Sequence, residues 1–277
     1  MFNLFKNFLL VRHAPGGAGR FLIATLMASK SIAHFDPAIE NNKTDQKCLD
    51  YLKDRFTINL DDWLKKEPNP VDAWNLHFVS SKYTRGETLT VDEFVQNALS
   101  DGTEHFKNSI NQNKLISLSW LKTTEPEYFA QAKNIIILID PESIKWLHRA
   151  NWYKHYSFTE NGIHIKINDP IYYNNSMSSY AKKFNNPTYC NDHPYSFIKK
   201  NIINCKFKKL FSDIDNFKNL HNKCFINLSS MLSEDSFVNT IDRITSDIKI
   251  NTINQDFLRA AHNHWINCHS FKYVKNS

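Results

Sequence analysis

The spacing of apolar positions changes near the start of the chain. Residues 8–11, Phe-Leu-Leu-Val, are apolar without a break and predict a strand, 8–12, buried on both faces. Phe21, Leu22, Leu26 and Met27 then recur at helical spacing, which predicts a helix starting at about residue 20. Further along, 74–79 and 115–119 read as strands. Residues 134–139, Asn-Ile-Ile-Ile-Leu-Ile, give the strongest strand pattern of all, as expected at the centre of a parallel sheet. Asp140-Pro141 suits a helix cap followed by a first-turn proline. Thr90 and Glu93 form a capping-box pattern, and a helix is expected through Cys48, Leu49 and Leu52. Residues 225–228 read as a last short strand, with helices over 234–245 and 255–268 closing the chain.

Strands alternating with helices predict an α/β fold with right-handed crossovers. The expected form is a P-loop-type three-layer fold, with a central mostly parallel sheet and helices on both faces. A single domain, 1–277, is expected, with 157–215 as an insertion, lid or small subdomain because its Tyr, Asn and Lys follow no regular period.

Between the first strand and the first helix lies Arg12-His-Ala-Pro-Gly-Gly-Ala-Gly-Arg20, which holds three of the chain's 6 glycines. Strand, glycine loop and helix in that order make an anion site, because loop amides and the helix N-terminus aim at one point. Arg12, His13, Pro15, Gly16, Gly17, Ala18, Gly19, Arg20 and Phe21 are therefore the candidate binding residues. The strict phosphate-loop motif ends in Lys and then Ser or Thr, with the hydroxyl on magnesium. Here Arg20 and Phe21 occupy those places. Arg keeps the charge, and Phe cannot hold a metal, so an anionic donor handled without magnesium is expected.

His77 falls at the end of the 74–79 segment, where an imidazole could take a proton from an acceptor hydroxyl. His262 and His264 are two apart on a helix and face different ways, so no metal site is expected. The net charge of +6 suits an anionic ligand and is too mild for nucleic acid. Five scattered cysteines with no C-x-x-C pair point to reduced thiols and a cytoplasmic location. No apolar run is long enough to span a membrane. Lysines interleaved with aromatics over 180–209 read chiefly as a solvated face.

The order of these pieces resembles the P-loop sulfotransferase family. The likeness rests on the first strand and its Pro/Gly loop, a strand before Thr124-Glu-Pro126, the run 134–143 with Asp140-Pro-Glu-Ser143, and the closing Phe225-Ile-Asn-Leu228 with Trp265. It is specific at 8–22 and 134–149. The resemblance implies PAPS as donor, a small-molecule or glycan acceptor, the loop on the 5′-phosphosulfate, and Ser143 and Arg149 near the 3′-phosphate. It departs from the family at Gly16, where a Lys is usual, and at Ile139 and Leu147. The strand that would carry a basic histidine reads Ser119-Trp120 instead. A kinase, a nucleotide-sugar glycosyltransferase and a catalytically degenerate binding member are the alternatives.

Overall fold

The computed structural model describes residues 6–14, 18–56, 103–120, 131–143, 158–160, 163–165 and 210–269. Four strands, β1 (Phe8–Arg12), β2 (Ile116–Trp120), β3 (Lys133–Leu138) and β6 (Lys223–Asn227), form one all-parallel sheet in the order β2-β1-β3-β6. Leu10 lies opposite Leu118 on one side and Asn134 on the other, and Ile136 lies opposite Phe225. β4 (Phe158–Glu160) and β5 (Ile163–Ile165) form a separate antiparallel pair within the 157–215 segment. The expected strand at 74–79, the helix at Thr90 and the core of that segment lie outside the described residues.

The α-helices among the described residues are α1 (Gly19–Leu26), α2 (Pro37–Glu40), α3 (Asp45–Arg55), α4 (Thr103–Asn111), α5 (Glu234–Asp247) and α6 (Gln255–His269). Thr44 caps α3 by accepting from the Lys47 amide. α5 carries Glu234 and Asp235 in its first turn, where they complement the helix dipole. Leu9, Val11, Ile135, Ile137 and Ile226 join a single core with Leu22 and Leu26 of α1, Leu52 of α3, Ile241 of α5 and Leu258 of α6. Phe8, Leu10, Ile116 and Leu118 are buried as well, so the middle of the sheet is apolar on both faces. Directly after Asp140 the described chain forms a single 3₁₀ turn, Pro141–Ser143; the rest of the expected helix lies outside the described residues.

Chain order sets where a ligand can sit. β1 is followed in sequence by β2 on one side of it and by β3 on the other. The winding reverses at β1, and in open parallel sheets the crevice for a ligand opens at the carboxyl ends of the strands at such a point.

Candidate functional site

β1 leaves the sheet at Arg12, and the next residues build that edge. Strand alternation carries Leu9 and Val11 to the face covered by α1. His13 is buried, and both ring nitrogens are engaged. Nδ1 lies 2.8 Å from the carbonyl of Ala14, and Nε2 lies 2.7 Å from Ser119 Oγ near the end of β2. A carbonyl only accepts, so Nδ1 carries the proton, and Nε2 accepts from the Ser119 hydroxyl.

The same imidazole explains Gly19. A Cβ built on Gly19 would overlap the His13 ring. Glycine at the first position of α1 thus serves close approach between helix and ring. Just before it, Ala18 holds φ 60° in the left-handed region, a conformation that costs an alanine roughly 1–2 kcal/mol. The N-cap residue, Ala18, provides no side-chain cap for α1. Arg20 is exposed in the first turn, so its charge is added to the positive end of the helix.

Three of the expected binding residues, Arg12, Phe21 and Ser143, have other engagements. Arg12 is fully buried, and its Nε donates to Asn134 Oδ1 at 2.8 Å. Asn134 Nδ2 in turn donates to the carbonyls of Ala132 and His221. Phe21 lies in the core, stacked on Trp265 at 4.3 Å between ring centroids and close to Phe237 and Phe56. The place aligned with the magnesium-holding hydroxyl thus points into aromatic packing. Ser143 is buried and bonded locally: its amide donates to Asp140 Oδ1 and its hydroxyl to the Asp140 carbonyl. The other Asp140 oxygen accepts from the Ser229 amide, tying the carboxyl ends of β3 and β6 together. Pro15, Gly16, Gly17, His77 and Arg149 lie outside the described residues.

The structure therefore brings together His13, Ser119 and Gly19. Ser119 was not among the sequence candidates. Its signal lay in the alternation Ile116-Ser-Leu-Ser119, which puts both serines on one face, the second near the carboxyl edge.

Among the described residues no group of three or more His, Cys, Asp or Glu could hold a metal ion. His262 is buried against Phe237 with Nε2 on the Met231 carbonyl, and burial lowers its pKa. His264 bonds the Phe56 carbonyl. Cys48 and Cys224 are free and buried, with thiols pushed up by burial to about 11 and about 12, which makes them poor nucleophiles. No described helix is long and apolar enough to cross a membrane. No family model matches this chain, nor does any curated protein or solved structure.

Proposed function

We propose that this chain is a transferase of P-loop-type three-layer architecture that holds PAPS at the β1 loop and moves its sulfuryl group to a hydroxyl or amine. The observation that carries the proposal is the N-terminus of α1, whose N-cap Ala18 brings no side-chain cap, set after β1 where the sheet reverses its winding. Bound there, PAPS would supply an activated sulfuryl group. The α1 amides and Arg20 would hold its negative charge and hold the donor in line with the acceptor. His77 is proposed as the base for the acceptor proton, and Ser143 and Arg149 as contacts to the 3′-phosphate. The acceptor is a small molecule or glycan, and the location cytoplasmic. The phenyl group at position 21, spent on the core, offers no ligand to magnesium.

Calorimetric titration with PAPS, PAP, magnesium-ATP and nucleotide sugars tests this, each with and without EDTA. Binding of PAPS or PAP that ignores EDTA is the expected result. Strict magnesium dependence would move the assignment to phosphoryl transfer, which relies on the metal to neutralise the phosphate oxygens. One observation favours a second reading, a member of the same fold that binds a nucleotide without turning it over. Arg12 and Phe21, both beside the loop, are tied into buried structure. PAP affinity without sulfuryl transfer would select it.

A further inference from the structure

The His13–Ser119 pair has a geometry that neither donor binding nor sheet packing requires. A nucleophile and its base are recognised by a hydrogen bond of about 2.6–3.2 Å between them, with the base oriented by a third group. Ser119 Oγ and His13 Nε2 are 2.7 Å apart, and the Ala14 carbonyl holds the other ring nitrogen at 2.8 Å. The tautomer this imposes leaves the lone pair of Nε2 facing the hydroxyl, as proton abstraction needs. Ser119 is only half-buried, whereas His13 is buried, so the hydroxyl is the more accessible member. Both stand at the carboxyl edge of adjacent strands. The imidazole fills the space beside Gly19 at the first turn of α1. Gly19 is the first residue of α1, and amides at a helix N-terminus are donors of the kind that suits the oxyanion formed when a carbonyl is attacked.

We propose that Ser119 is a nucleophile and His13 its general base, forming a covalent centre for activated acyl esters. Ser119 Oγ attacks the ester carbonyl as its proton passes to His13 Nε2. A new O–C bond gives a tetrahedral oxyanion, which collapses by breaking the bond to the leaving group. That group takes the proton from Nε2, and an acyl-serine remains for water or an acceptor hydroxyl to discharge. None of this depends on PAPS or on residues 15–17.

The test uses the full chain with a fluorophosphonate, whose P–F bond breaks as Ser119 Oγ bonds to phosphorus, and with p-nitrophenyl acetate. One adduct per chain mapping to Ser119 is expected, together with a burst of one equivalent of p-nitrophenolate. Ser119→Ala, with unchanged melting temperature, loses both. His13→Ala slows labelling by about 100-fold or more, the usual share of a general base. Imidazole added to the buffer restores part of that rate, which it would not do if His13 were only a structural tie. An unlabelled wild-type chain, an adduct at another residue, or equal rates in wild type and His13→Ala would each overturn the proposal. Should His13→Ala fail to fold, the wild-type mapping and Ser119→Ala still decide. A chain that labels at Ser119 yet ignores PAPS would leave this centre standing without the sulfotransferase reading.

Discussion

The imidazole of His13 takes up the space that any side chain at position 19 would need. Gly19→Ala therefore forces the ring out of place or the helix away from the strand. Overpacking of this kind typically costs about 1–3 kcal/mol, read as a lowered urea midpoint. Phe21 and Arg20 are neighbours in sequence with opposite expectations. Phe21→Ala removes a ring stacked on Trp265 and should cost about 3–5 kcal/mol of stability. Phe21→Leu should keep donor affinity while lowering the melting temperature, because only the backbone at position 21 faces the helix terminus. Arg20→Ala, at an exposed position, should weaken an anionic donor by about 1.5–3 kcal/mol. Lys at position 20 should recover part of that, since charge is kept and the fork is lost. Calorimetry showing equal affinity in the Ala variant would remove Arg20 from the site.

At the scale of elements, Asp140 joins the ends of two parallel strands: one carboxylate oxygen accepts from Ser143 and the other from Ser229. Asp140→Ala should cost about 2–4 kcal/mol in urea unfolding, because two amides lose a charged acceptor, and Asp140→Asn should recover about half. The cap itself was legible in the sequence from Asp140-Pro141. The link to Ser229 was not, because it joins residues 89 apart and depends on β3 and β6 being neighbours. The strands 8–12 and 134–139 and the two closing helices were legible for the converse reason: their pattern is local and unbroken. What local pattern leaves open is which strand lies beside which. That choice places Ser119 against His13, 106 residues away, and decides that Arg12 meets Asn134 rather than solvent. The α/β class could thus be read from periodicity, whereas the pairing at the candidate site required the sheet order.

Across the whole molecule, the carboxyl edge of the sheet carries the candidate chemistry, and the start of β2 carries a buried charged cluster. Glu40 is the hub of that cluster, accepting from Lys114, from Lys43 and from the His34 amide. Burial alone would push its carboxyl up, but these bonds more than offset burial and hold it below the usual value. His34 is fully buried beside the Tyr51 ring. Its Nδ1 accepts from the Asp36 amide, and its Nε2 has no hydrogen-bond partner among the described residues. Burial, with the Lys43 charge second, lowers its pKa from 6.5 to about 4. Between those values the unfolded chain takes up a proton that the folded chain refuses, so stability falls as pH drops from about 6.5 to about 4. The slope is up to about 1.4 kcal/mol per pH unit for one such group, and the loss totals roughly 3 kcal/mol. Glu40 works in the same direction at lower pH, since stability from a depressed carboxylate is lost as pH falls through its folded pKa. Urea unfolding at a series of pH values should show this acid-side decline. His34→Asn, whose side-chain oxygen can still accept from the Asp36 amide, should flatten the part between pH 6.5 and 4 and leave the decline below it. An unchanged slope in that variant would assign the proton to another group. Because the cluster lies at the opposite end of β2 from Ser119, the same variant should leave donor binding and labelling at Ser119 as they are.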